Sequence, residues 1–177
     1  MANNKRIFAT EIIGTIFIIF LGSALHFTYA LSGNNPAVGS LSPVNESVWE
    51  HLKMVFWPSL FWILITMLPL RKAVSNFFSA KAIGTYVMVI TIPAVFYSYT
   101  ALVGESILAI DIATFIIAVI IGQFASYKLF KQNTIGGSTE KIALIALLLL
   151  ALVFVVFTFY PPHLPIFQDS ITGQYGR

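Results

Sequence analysis

The chain has 177 residues, of which 58% are hydrophobic and 10% charged, with a formal net charge of +3 and no cysteine. Its mean hydropathy is +0.86, more apolar surface than a soluble domain of this size can hide, so the composition indicates an integral membrane protein. The missing cysteines exclude disulfides, thiolate zinc sites, iron–sulfur clusters and cysteine nucleophiles, and the thinly spread basic residues act as topology signals and suggest no nucleic-acid partner.

A spanning helix needs about 20 mostly apolar residues. Five segments qualify, at about 7–30, 54–70, 82–102, 107–128 and 141–160, within a single membrane domain over 1–177. Lys5 and Arg6 precede the first run as they would in a signal peptide. The run is too long for a signal-peptide core, so it is expected to remain as the first span. Glu11 lies one turn inside, beside Lys5 and Arg6, where the helix dipole and basic neighbours suit it. His26 lies near the far end of this span, in ALHFTYAL.

The loop and helix start at 31–53 contain SPVNESVWEHLK, the densest charge in the chain. Ser42 as N-cap and Pro43 at the first helical position predict a helix from about residue 43. Glu46, Glu50 and Lys53 then recur at i, i+4 and i+7 and share one face. His51 is rotated by about 100° from Glu50, next to Ser47. Two carboxylates and an imidazole suit a divalent metal such as Zn or Mn, or a general base and its partner. The plainer alternative is a first-turn acid under the helix dipole, with Glu50 and Lys53 as an ordinary i, i+3 pair.

Pro58 predicts a kink in the second span, and Pro69 closes it. Trp49, Trp57 and Trp62 all fall on this helix, in the pattern of an interfacial aromatic belt. Asp111 lies one turn into the fourth span, where it is either an ionisable group facing the bundle or a cavity or a helix-start acid under the dipole. Ala118, Gly122 and Ser126 form a small-residue ridge beside Gln123 that predicts close helix packing. TIGGSTE at 134–140 reads as a turn, and Pro161-Pro162 closes the fifth span. The tail at 161–177 is stiffened by prolines and carries Ile166, Phe167 and Tyr175, so it is expected to fold back as a lid, with a turn at Thr172-Gly173.

Eight of the ten basic residues (Lys5, Arg6, Arg71, Lys72, Lys81, Lys128, Lys131 and Lys141) fall on one side of the five-span arrangement. That side is expected to be cytoplasmic, with the N-terminus inside and the C-terminus outside. All three histidines and five of the seven acids then lie on the extracytoplasmic side. The expected site there uses Glu46, Glu50 and His51 as catalytic groups and Glu50, His51, His163 and Asp169 as metal ligands. His26, Asn45 and Asp111 are its supporting residues.

SPVNESVWEHLKMVFWP and YPPHLPIFQDSITGQYG, with HFTYALSGNNPAVG ahead of them, resemble a family of small bacterial integral membrane proteins known only as a domain of unknown function. The core of the likeness is N-E-S-x-W-E-H, Asn45 to His51. The resemblance implies the architecture and supplies no mechanism.

The sequence therefore predicts an all-α, five-span bundle in the cell membrane, with a polar, metal-competent site facing outward. One functional reading is a metal-dependent enzyme acting on a lipid or small molecule. The others are a non-enzymatic solute- or ion-binding or transport protein, and an envelope scaffold subunit.

Overall fold

The structure, a computed structural model, describes residues 4–72, 74–132 and 137–176. It is all-helical: α1 Asn4–Leu31, α2 Pro36–Gly39, α3 Val48–His51, α4 Lys53–Leu70, α5 Phe77–Val103, α6 Leu108–Gln132 and α7 Ser138–Phe159. A 3₁₀ turn, Pro165–Phe167, follows. α3 and α4 are separated only by Leu52 and act as one rod, Val48–Leu70. That rod and α1, α5, α6 and α7 are the five helices long and apolar enough to cross a membrane. Their outward residues are apolar and exposed, such as Leu68 and Leu102, which is compatible with a multi-pass membrane protein.

The spans expected at 7–30, 82–102 and 107–128 each belong to a longer helix, because backbone hydrogen bonding continues past the apolar run. α5 starts at Phe77, well before residue 82, because a distant acid caps it. The Glu140 carboxylate accepts the backbone N–H groups of Phe78 and Ser79 at 2.8 Å each. A carboxylate there also complements the positive end of the helix dipole. Pro161-Pro162 follows the end of α7 as expected, and Pro58 sits inside α4 without ending it. Of the expected turn at 134–140, residues 134–136 lie outside the described residues.

The helix expected from residue 43 begins instead at Val48. Asn45 Oδ1 accepts the Ser47 N–H at 2.9 Å, and Ser47 becomes the N-cap, its Oγ accepting the Glu50 N–H. These side-chain bonds compete successfully with an earlier helical turn. The consequence is large, because Glu46 is not on the helix and does not share a face with Glu50 and Lys53. A further short helix, α2, has Asn35 as its cap and Pro36 at its first position.

The α3–α4 rod is the centre of the bundle and touches α1, α5 and α7. Phe56, Trp57, Trp62 and Ile63 are buried along it. Trp57 and Trp62 thus fill the core and do not form an interfacial belt. Between helices in an apolar medium, close approach of backbones replaces the hydrophobic drive. The Ala118-Gly122-Ser126 ridge does this as expected, with its partner Gly84 on α5: a Cβ on Gly84 would stand 2.6 Å from the Gly122 carbonyl oxygen.

Polar bonds lock this half of the bundle. Lys81 on α5 pairs with Glu11 on α1 at 2.7 and 2.9 Å, both side chains buried. Glu11 is therefore a cross-bundle ion-pair partner. Lys81 also lies over the Phe130 ring, and Gln123 Nε2 donates to the Glu11 carbonyl. We refer to this as the Lys81 end and to the opposite one as the His26 end.

Gly84→Ala forces a methyl into the Gly122 carbonyl and is expected to cost about 1–3 kcal/mol. Ile83→Ala, on the exposed side of the same turn, should stay within about 0.5 kcal/mol. Thermal unfolding in one detergent compares the two.

Candidate functional site

The site at the His26 end is built on a buried lysine. Lys53 is fully buried, and an ammonium there needs an acceptor for every proton. Its Nζ donates to the Gly39 carbonyl at 2.8 Å, the Ser42 carbonyl at 3.3 Å and Glu50 Oε2 at 2.6 Å. Glu50 Oε2 also accepts the Val44 N–H at 3.0 Å, and its Oε1 lies 3.3 Å from Thr158 Oγ1 on α7. The pair thus gathers the loop of residues 39–44 onto the start of α4 and the end of α7.

The C-terminal segment closes over this loop. Asn45 Nδ2 donates to the Gly176 carbonyl at 2.8 Å, and Ser170 Oγ to the Glu46 carbonyl at 3.1 Å. Phe167 is buried against Trp49 and Phe157, with ring centroids at 4.8 and 5.4 Å. A bridge pairs Gln168 with Tyr175 around a tight turn, where Gly173 takes φ +71°.

Held in this way, Glu46 faces His51. His51 Nδ1 lies 2.9 Å from the Ser47 carbonyl oxygen. A carbonyl only accepts, so Nδ1 carries the proton, and in the neutral ring Nε2 is a bare lone pair. That Nε2 lies 3.3 Å from Glu46 Oε2. Two lone pairs facing each other need a cation between them, either a proton on Nε2 or a metal ion. The His26 ring from α1 stands 5.3 Å from the His51 ring, and its buried Nδ1 has no hydrogen-bond partner. One ligand atom from each of His26, Glu46 and His51 lies within 4.8 Å of the others, the set of His, Asp and Glu among the described residues close enough to share an ion.

The expected residues therefore divide. His51 and Glu46 meet, and His26 joins them directly. Glu50 turns away into its ion pair with Lys53. Asp169 reaches the same cavity, but its Oδ1 accepts the N–H groups of Ile171 and Thr172 at 2.7 and 3.0 Å and so pins the tail turn. His163 is exposed and stacks on Tyr175 at 4.6 Å, away from the cavity wall. Asn45 shapes the loop, as described above. Asp111 lines the cavity and accepts the Tyr99 hydroxyl at 2.5 Å. Tyr99 is the residue that sequence reasoning missed, because its partner lies across the α5–α6 connection.

The three-residue cluster opens onto a cavity of about 1030 Å³ between α1, the α3–α4 rod, α5, α6 and the tail. Its walls also include Met54, Ile92, Phe96 and Phe115. The hydrogen bond with His51 holds the Glu46 carboxyl below the usual range, against the opposing effect of partial burial. For Asp169, burial pushes the carboxyl up, but the N–H groups of Thr172 and Ile171 outweigh it and leave it below the usual range.

Residues 2–177 match the family described as "Family of unknown function (DUF6512)", and the chain belongs to that family. No curated protein and no solved structure matches it.

Glu50→Ala leaves the Lys53 ammonium buried without its carboxylate and is expected to cost about 3–5 kcal/mol, whereas Lys53→Met with Glu50→Leu recovers much of that loss. Thermal unfolding of the two variants checks this. A carboxyl held low in the folded state contributes stability above the usual carboxylate range, and loses it as pH falls through its lowered folded value. Glu46→Gln should therefore flatten part of the acid limb of unfolding temperature against pH, and the Asp169 contribution should remain.

Proposed function

We propose that this DUF6512 protein is a multi-pass membrane protein that holds a divalent ion between His26, Glu46 and His51. The observation that carries the reading is the His51 geometry: Nδ1 faces the Ser47 carbonyl, so in the neutral ring the Nε2 lone pair faces a carboxylate oxygen at 3.3 Å. Zinc ligands at about 2.0–2.2 Å in a tetrahedron are separated by about 3.4 Å, so this spacing suits two ligands of one ion. A metal-bound histidine commonly donates its other ring N–H to a carbonyl, as His51 does. Two imidazoles and a carboxylate favour Zn or Mn.

Three protein ligands beside a cavity leave a coordination position for water or substrate, the arrangement of a catalytic ion. Held by His26, Glu46 and His51, such an ion would supply Lewis-acid chemistry suited to hydrolysis of a lipid or small molecule. The excess of lysine and arginine at the Lys81 end supports a cavity facing the extracytoplasmic side of the cell membrane. A second reading, capture or passage of a solute without chemistry, has its own support, because an imidazolium at His51 satisfies Glu46 with no metal present.

Elemental analysis of untagged protein, purified without chelator, tests the proposal. Near one equivalent of Zn or Mn is expected in the wild type. His26→Ala, Glu46→Ala and His51→Ala should each weaken binding by about 100-fold or more, and His163→Ala should retain the ion. Absence of metal after reconstitution with both ions, or equal loss in His163→Ala, would refute the assignment.

A further inference from the structure

The chemistry of the cavity wall points to a class of ligand. Three carboxylates line it, Glu46, Asp111 and Asp169, and among the described residues no lysine or arginine does. Lys53, close in sequence, is turned away and spent on Glu50 and two carbonyls. If a divalent ion binds beside Glu46, its two positive charges against three carboxylates still leave the wall with a net charge of about −1. Phe27, Phe96, Tyr97 and Phe115 add aromatic rings to the same wall. Carboxylates beside aromatic faces are the environment that attracts an organic cation.

The wall is also continuous with the outside of the bundle. Phe27 on α1 and Leu108 and Ile112 on α6 line the cavity and are nevertheless 61%, 75% and 51% exposed. On helices of membrane length, exposed apolar side chains are suited to face lipid chains. A hydrocarbon chain can lie along Phe27, Leu108 and Ile112 while its head reaches the acids. The volume of about 1030 Å³ is at the upper end of pockets for drug-sized ligands, which suits one head and one chain.

We infer that the cavity takes a single-chain amphiphile with an ammonium head, its chain entering from the flank of Phe27, Leu108 and Ile112 and its head held by Asp111 and Asp169. This rests on reading the cavity as the functional site, and it names the ligand class of that site.

The test uses the full chain in nanodiscs of uncharged lipid, with empty discs as background. Radiolabelled dodecyltrimethylammonium should bind saturably at about one equivalent. Dodecyl sulfate, dodecylphosphocholine and chainless tetramethylammonium should each compete at least about tenfold more weakly. Asp111→Asn retains the shape of the side chain and should weaken binding by about tenfold. Ser23→Trp, which fills the cavity from α1, should reduce the number of sites, with folding of both variants checked by thermal unfolding. Equal competition by any of the three probes overturns the inference, as does unchanged binding in both variants. Each arm is repeated after chelation. Saturable binding to metal-free protein supports the ligand class even if the metal assignment falls. Retained metal without saturable binding refutes the ligand class alone.

Discussion

A lysine ammonium with no access to water must find an oxygen for each of its three protons, and Lys53 finds all three within its own neighbourhood. Two come from the loop between α1 and α3, and the third from Glu50 one turn back. That requirement folds the loop against the helix start. It places Asn45 where it can bond to Gly176, and it leaves Glu46 and His51 facing His26. Such pairs are weak evidence of net stability, because desolvation offsets much of the attraction. Here the pair supplies position: it fixes where a mobile loop would otherwise carry the cluster.

The two ends of the bundle differ for a reason that lies in residue size. Towards the Lys81 end, Gly84 and Gly122 let α5 and α6 approach backbone to backbone, and the Glu11–Lys81 pair ties α1 to the same region. Towards the His26 end α5 and α6 carry Phe96, Phe115 and Leu108 where they face the cavity, and the close approach there is instead between α1 and α4, where Gly22 lies against the Met54 carbonyl. The ion pairs follow the same division. At one end a pair joins two long helices, and at the other Glu50 and Lys53 pair within one rod and hold the preceding loop through its backbone groups.

The hydropathy of the sequence was sufficient for the five long helices and for the meaning of the Ala118-Gly122-Ser126 ridge, because both depend on local composition. Helix starts were less legible. Ser42-Pro43 is a sound start signal, but Asn45 and Ser47 offered the backbone a rival set of bonds and moved the start to Val48. That shift separated Glu46 from Glu50, so two acids that look equivalent in sequence take different parts. The His26–His51 approach joins α1 to α3, and the Glu140 cap joins α7 to α5. Neither leaves a trace in periodicity, since each depends on how separate helices pack.

The Glu140 cap also bears on how the chain is assembled. The first amides of α5 find their acceptor on α7, which the ribosome makes after both α5 and α6. While α5 and α6 are already made and paired, those amides have no carboxylate and rely on water or headgroup oxygens near the membrane surface. The arrival of α7 withdraws them from solvent and, through Thr158, reaches Glu50 at the opposite end. One late helix thus completes both ends together, so chains interrupted before it present quality-control proteases with an unfinished helix start and a loosened loop.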